Sequence, residues 1–434
     1  MSDVIIIGGG PAGSGLGCYL SKAGVSNMII EKAMHPRDHV GESLVTNTTR
    51  IFEELGFLET MEREGFIRKF GATWHAPLHR GKLGIVFAEF PLEGINQPYS
   101  YHVDRRRFDL QLLKHANNLG SQVVQGVTAT QVLFNDEGQA KGVRVRIGSQ
   151  EVNLPCKIVV DASGRDTFLG RHLKLKVKDP IFNQYAIHAW YENVDRGDQA
   201  TADDIHIYFL PIERGWVWQI PISDKVTSIG VVVEAKAVRE ARGDLESFFN
   251  SQLQTNQNLA HALRNARRVN EFKTEGDYSY TMEKFVGDGF LLVGDAARFV
   301  DPIFSSGISV ALHSAKFASE SIINALKIND FRENTFLPYE QKLREGVEIW
   351  YEFIRLYYKL LPLFTYFIQI PEYRLQVFRL LQGEVFERTQ VPVLEAMRDY
   401  IESVEKSENH VFRSQLTDVP IDFITEIGLP ETVA

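Results

Sequence analysis

The sequence predicts an α/β fold with an inserted antiparallel β-sheet and a helical region at its C-terminal end. Three observations carry that prediction. Val4-Ile5-Ile6-Ile7 runs straight into Gly8-Gly9-Gly10-Pro11-Ala12-Gly13, a strand, a tight turn and the start of a helix. Two later apolar runs, 158–160 and 290–293, end in Asp161-Ala162-Ser163-Gly164 and Gly294-Asp295. From about 180 to 235 the pattern changes to alternation, in closely spaced strands of the kind that form an antiparallel sheet.

The opening stretch has the most specific chemistry. Gly8, Gly10 and Gly13 fit G-x-G-x-x-G, in which one glycine makes the turn, one lets backbone approach a pyrophosphate and one packs helix on strand. The helix that begins near Pro11 and Ala12 offers its free N–H groups and positive dipole end to phosphate. A second strand, Met28-Ile29-Ile30, ends at Glu31, eighteen residues past Gly13, where a carboxylate reaches a ribose hydroxyl. In an open α/β sheet ligands bind outside the C-terminal ends of the strands. The three glycine- or acid-bearing ends therefore predict one nucleotide site built from distant parts of the chain.

The other elements follow in order. Gly41-Glu42-Ser43-Leu44 opens a predicted helix closing near Gly56, and a second helix covers 58–64. Residues 66–74 read as a loop feeding a strand, and 101–105 as the end of another. Phe108, Leu110, Leu112, Leu113 and Ala116 recur with helical spacing. Residues 122–147 predict a β-hairpin turning at Asp136-Glu137-Gly138. Residues 244–266 return to helix, a long helix spans about 307–327, and the remainder is mainly helical.

The chain has 434 residues, 44% hydrophobic and 24% charged, an ordinary globular composition with ample length for a large core. A formal net charge of −9 argues against nucleic-acid binding, which needs a basic footprint. Two cysteines, Cys18 and Cys156, give neither a disulfide framework nor a metal-ligand spacing, as expected of a cytoplasmic protein. No signal peptide is expected, because a strand begins by residue 4. No membrane span is expected either: the apolar tract near 347–370 is broken by Glu348, Glu352, Arg355, Lys359 and Pro362. His75 and His79 flank Pro77, which breaks the helix that would align them, so no metal site is predicted.

Taken together, the fingerprint, Asp104-Arg105 with Phe108-Asp109, Asp161-Ala162-Ser163-Gly164 and Gly294-Asp295 resemble the flavoproteins that include aromatic hydroxylases and halogenases. Within that group Trp216-Val217-Trp218-Gln219-Ile220-Pro221 is similar to the W-x-W-x-I-P mark of flavin-dependent halogenases. Alternation alone gives Trp216, Trp218 and Ile220 one face of a buried strand whatever their chemistry. Nearly the whole chain, from Val4 to about residue 405, resembles the branch that halogenates a pyrrole tethered to a carrier protein. His39-Val40-Gly41-Glu42-Ser43-Leu44, the stretch 182–188 and Ile349-Trp350-Tyr351-Glu352-Phe353 carry that likeness.

The resemblance implies FAD bound by Gly8, Gly10, Pro11, Ala12, Gly13, Glu31, Glu42, Ser43, Arg105, Asp161, Gly294, Asp295, Gly307 and Ile308. It implies a catalytic Lys69, in Arg68-Lys69-Phe70-Gly71, and a halide site at Ser306 and Gly307. Trp216, Trp218, Ile220 and Pro221 would shield the flavin, and Phe304, Val310, Trp350 and Tyr351 would line the substrate pocket. The implied organisation is a discontinuous FAD-binding domain (1–75, 101–178, 276–330), a substrate domain (76–100, 179–275) and a C-terminal helical cap (331–434). The implied reaction uses FADH2 from a separate flavin reductase, O2, and chloride or bromide to form hypohalous acid, which halogenates an electron-rich ring. A pyrrolyl thioester on an acyl or peptidyl carrier protein is the implied substrate. The alternatives are a free phenol or pyrrole, or a flavin monooxygenase that hydroxylates an aromatic ring. The bland reading of Lys69 is an exposed loop lysine, and that of Ser306 a helix cap.

Overall fold

The computed structural model describes residues 2–77, 81–241, 244–276, 279–387 and 390–421. A six-stranded sheet forms in the order Val286–Gly287, Phe290–Leu292, Ile158–Asp161, Val4–Ile7, Asn27–Glu31, Gln122–Gln125. All its pairings are parallel except that of the first two strands. Parallel strands covered on both faces read as unbroken apolar runs, which is why 4–7 and 158–160 lack polar alternation. On one face the helix Pro11–Lys22 packs between the helices Arg105–Leu119 and Gly307–Ile328. A three-stranded antiparallel sheet, Thr128–Phe134, Ala140–Ile147 and Gln150–Pro155, packs against the strand Ile158–Asp161.

Two sequence expectations change here. The predicted hairpin is shorter, because Gln122–Gln125 pairs in parallel with Asn27–Glu31 and only 128–147 turns back on itself. The predicted helix from Gly41 begins only at Asn47. Residues 42–44 are instead held extended, with Leu44 N donating to Tyr101 O at 3.0 Å and Val103 N to Glu42 O at 2.7 Å. Backbone pairing with a strand distant in sequence outweighs local helix propensity there.

The second large sheet runs Arg267–Arg268, Gln184–Glu192, Val226–Glu234, Trp216–Pro221, Ile205–Phe209, Gly71–His75, Lys82–Val86, with Lys273–Gly276 also on Gln184–Glu192. Gly71–His75 belongs to this sheet, so the expected boundary at residue 75 falls between two strands that pair with each other. Period-two alternation splits the strands between two cores. Ile207, Trp216, Trp218, Ile220 and Val232 face the body of the molecule. Tyr208, Val217, Val231 and Val233 face away, under Phe249, Leu253 and Leu259 of the helices Leu245–Thr255 and Gln257–Ala262. The helices Glu333–Lys359, Leu363–Phe367, Pro371–Leu381 and Pro392–Lys406 close the remaining side with a densely aromatic interior.

Candidate active site

A cavity of about 710 Å³ opens at the C-terminal ends of Val4–Ile7 and its neighbours and runs to the inner face of the second sheet. Gly8, at φ +113°, could not carry a Cβ, which would lie 2.3 Å from the Ala162 carbonyl oxygen. A Cβ on Gly13 would lie 1.9 Å from Gly8 O, so the close approach of helix to turn requires glycine there. The helix Pro11–Lys22 has Pro at its start, no side-chain cap and no acidic residue in its first turn. Its positive end therefore faces the cavity unopposed.

Charge is arranged around this cradle. Glu31 accepts from Gly9 N and from Ala33 N, each at 2.8 Å, and stands in the cavity wall. Arg105 is gripped by Asp109 through two bonds, Nε to Oδ1 at 2.8 Å and Nη2 to Oδ2 at 3.0 Å. Burial alone raises the Asp109 carboxyl, but Arg105 and Arg37 together hold it below its ordinary value. Arg37 lies 3.4 Å from Asp109 and stands over Gly10, bringing a second guanidinium to the turn. No sequence motif marks Arg37; only the folding of the 32–41 loop over the turn brings it there. The His39 imidazole beside them is pushed down to about 4, by burial and then by Arg105.

Asp295 lines the cavity, and burial raises its carboxyl to about 6 against the pull of Arg105 and Arg165. Gly294 lies just behind it, its N–H held by Ser314 Oγ at 2.8 Å. Asp161, expected among the cofactor contacts, does not reach the cavity. Its two oxygens accept from Ser163 N at 2.9 Å and Leu169 N at 2.7 Å, so it shapes the loop whose Ala162, Ser163 and Gly164 form the wall. These features fit a dinucleotide: a cradle that excludes side chains, an open helix N-terminus and two arginines.

At the far end of the cavity stand Trp216, Trp218 and Ile220, while Pro221 closes the same strand without reaching the cavity. Trp216 Nε1 donates to Tyr358 OH at 2.8 Å, and Tyr358 OH to Asp301 Oδ1 at 3.2 Å. Trp218 Nε1 donates to Ser228 Oγ at 3.1 Å, and its ring lies across Gly230 on the paired strand. Both indoles are thus fixed by polar anchors as well as by packing. Glu42, also in the wall, accepts from Trp190 Nε1 at 2.7 Å, and burial raises its carboxyl. Tyr358, Ser228 and Trp190 carry no motif of their own; they stand here because the strands and the long C-terminal helix converge.

Ser305, Gly307 and Ile308 line the cavity where the 22-residue helix Gly307–Ile328 begins. Ser306 is buried beside them and its side chain makes no cap, so the first-turn N–H groups have no acceptor within the helix.

Lys69 ends the short strand Ile67–Lys69 and is only 3% exposed. Its Nζ donates to Ser43 Oγ at 3.0 Å and to Leu44 O at 2.9 Å, and Ser43 is itself part of the cavity wall. Burial pushes the ammonium down to about 7, partly offset by Asp204. Arg68, its neighbour, alternates outward to an ion pair with Glu62 and the face of Tyr99.

The four expected substrate-pocket residues are not gathered around the cavity. Phe304 stacks on Phe353 at 4.6 Å, Trp350 packs on Phe386 at 6.2 Å, and Tyr351 packs on Phe182 at 5.6 Å. Val310 is buried and outside the cavity wall. Positions 350 and 351 are adjacent on one helix and so point about 100° apart, toward different neighbours. Among the described residues no group of three or more His, Cys, Asp and Glu could hold a metal ion. His75 bonds His206 at 2.9 Å, and His79 lies outside the described residues.

Comparisons with known proteins agree with this geometry. The family model described as FAD binding domain matches residues 1–330. The chain is 46% identical over 437 residues to the 1H-pyrrole-2-carbonyl-(peptidyl-carrier protein) chlorinase of Pseudomonas fluorescens, covering 96% of this chain and 97% of that one. It is 33% identical over 388 residues to the corresponding brominase of Pseudoalteromonas luteoviolacea, covering 89% and 92%. Among solved structures, the flavin-dependent brominase Bmp2 superposes with a TM-score of 0.85 at 31% identity, over 93% of this chain and 99% of that one. The myxobacterial chondrochloren halogenase CndH superposes with a TM-score of 0.77 at 31% identity, over 82% of each chain. A nucleotide cradle at one end of the cavity and a tryptophan wall at the other thus accompany sequence likeness over nearly the full length, and the chain belongs to the FAD-dependent halogenases, closely related to those that act on pyrrolyl carrier proteins.

Proposed function

We propose that this halogenase uses O2 and halide, with chloride as the physiological ion, to halogenate a pyrrolyl group carried as a thioester on a carrier protein. The observation that carries the reading is Lys69: an ammonium nearly removed from water, one hydrogen bond behind the cavity wall at Ser43. The carrier-bound pyrrole rests on the 46% and 33% identical relatives, whose names specify that substrate. Bound reduced FAD supplies the activation of O2, and a separate flavin reductase supplies the FADH2, since the chain's one glycine fingerprint holds the flavin nucleotide.

The chain's own residues do the rest. The Gly8–Gly13 turn, Arg37 and Arg105 hold the dinucleotide, with Glu31 on the ribose. Trp216, Trp218 and Ile220 form an apolar wall that keeps organic substrate away from the site of oxygen chemistry. Halide sits at the Ser306 and Gly307 N–H groups, at the positive end of a long helix. Lys69 donates a hydrogen bond to the oxygen of hypohalous acid and makes the halogen more electrophilic toward the ring. Phe304 and Val310 belong to the segment that opens the Gly307–Ile328 helix and Trp350 and Tyr351 to Glu333–Lys359, so placing all four around the ring requires both segments to shift from the packing seen here. The two buried free thiols, Cys18 and Cys156, suit the reducing cytoplasm to which we assign the protein.

The test is mass spectrometry of turnover with reduced FAD, O2 and chloride, offering pyrrole-2-carboxyl-loaded carrier protein and free pyrrole-2-carboxylate in parallel. The expected result is chloride-dependent halogenation of the carrier-bound ring alone. Halogenation of the free acid alone would remove the carrier, and an oxygenated product formed without halide would make the protein a hydroxylase.

A further inference from the structure

Among the described residues, Lys69 bonds only neutral oxygens, at Ser43 and Leu44, and no carboxylate is in direct hydrogen-bond contact with its charge. A buried ammonium in such surroundings is costly unless an opposite charge lies near. Asp204 supplies one. The strand Ile205–Phe209 pairs in parallel with Gly71–His75, Ile205 opposite Ala72, which sets Asp204 beside Gly71, two residues from Lys69. Asp204 is only 4% exposed, and both its carboxylate oxygens lie 3.1 Å from where a Cβ on Gly71 would be. That Cβ would also lie 2.1 Å from Ile85 O. The glycine of the Lys69-Phe70-Gly71 stretch is therefore the residue that admits the carboxylate to the strand.

We propose that Asp204 is the counter-charge that keeps Lys69 protonated, and so a positioning residue for halogen transfer; this rests on the role given to Lys69 above. Supporting shifts run in the expected directions. Burial lowers Lys69 to about 7 while Asp204 raises it. Burial raises Asp204 to about 7 while Lys69 lowers it. Other titratable groups face this pair. Asp203 adds a like charge beside Asp204. His102, on the strand paired with Ile67–Lys69, is held neutral by burial first and then by Lys69, and Arg196 and His206 also act on it.

The transfer balances through Lys69. As the O–X bond of hypohalous acid breaks, the halogen bonds to a ring carbon, and the Lys69 proton goes to the departing oxygen, which leaves as water. The ring carbon then loses its proton, which restores the Lys69 ammonium. Asp204 acts throughout by favouring the charged lysine.

Activity that needs the ammonium falls as pH rises through the lysine's pKa. Removing the Asp204 charge lowers that pKa, so the alkaline limb moves to lower pH. For Asp204→Asn we expect a move of about one pH unit, read as an about tenfold lower halogenation rate at pH 8 with loaded carrier protein, reduced FAD and chloride. Asp204→Glu should restore most of it. An unmoved limb in Asp204→Asn overturns the proposal. A second readout needs no flavin. In urea unfolding of the flavin-free protein, Lys69→Met, Asp204→Asn and the double variant should be non-additive, the double losing less than the two singles together. Additive effects overturn the proposal. If Lys69→Ala still halogenates at the normal rate, the function reading itself falls. If Lys69→Ala is inactive while the limb stays and the cycle is additive, only Asp204 falls.

Discussion

At the scale of single residues, the chemistry depends on how far a side chain is removed from water. Lys69 and Arg68 are adjacent cations, and strand alternation sends one inward and the other to an exposed ion pair. The buried one alone has a depressed pKa, because desolvation penalises its charged form. Lys69→Ala should abolish halogenation while leaving FAD binding and flavin reoxidation intact, measured by product mass and by flavin absorbance. The role proposed for Lys69 needs the ammonium, so the wild-type rate should fall as pH rises past about 7; a rate rising between pH 7 and 9 would contradict this. At Trp216, the indole N–H is bound to Tyr358. Tyr358→Phe leaves that N–H without its acceptor, while Asp301 Oδ1 keeps Ile303 N at 2.9 Å, and should cost about 1–3 kcal/mol in urea unfolding. It should also raise flavin oxidation uncoupled from product, because the wall is less well fixed.

At the scale of elements, the opening strand, turn and helix form one unit whose geometry leaves no space for substitution. Gly13→Ala sets a methyl 1.9 Å from a backbone oxygen, so either the turn or the helix must move. The expected destabilisation is about 2 kcal/mol or more, with FAD affinity lost in a fluorescence titration. The strand Trp216–Pro221 shows a different economy. Its even-numbered residues face the cavity side and Val217 faces the second core, so one six-residue segment lines the cavity and packs a core at once.

At the scale of the molecule, the two faces of the large sheet separate function from support. Leu253 lies in the second core, on the face turned away from the cavity. Leu253→Ala should lose about 2–5 kcal/mol of stability by urea unfolding while the folded protein keeps its FAD affinity. A large loss of affinity in the folded variant would mean that the two faces are mechanically coupled. The C-terminal helix Glu333–Lys359 joins the parts, since its Tyr358 holds both Trp216 of the inserted sheet and Asp301, just ahead of the Gly307–Ile328 helix.

Local chemistry was legible in the amino-acid sequence wherever it is carried by consecutive residues. The glycine turn, the acidic end of the second strand, the three strand ends that build one nucleotide site and the alternating tryptophans all read directly, because turn sterics and side-chain period are properties of short segments. What depends on distant segments meeting was not legible. Arg37 over Gly10, Tyr358 on Trp216 and Asp204 beside Gly71 each join residues brought together by loop closure or sheet register, which no local pattern encodes. The same reason explains the helix that starts at Asn47 rather than Gly41, where hydrogen bonds to a strand distant in sequence outcompeted local helix formation; Asp161 turns from the cavity for a local reason, since it holds Ser163 N and Leu169 N of its own loop. The sequence alone determined which cofactor class this chain is shaped for, while tertiary structure decided which lysine is buried and what charge stands near it.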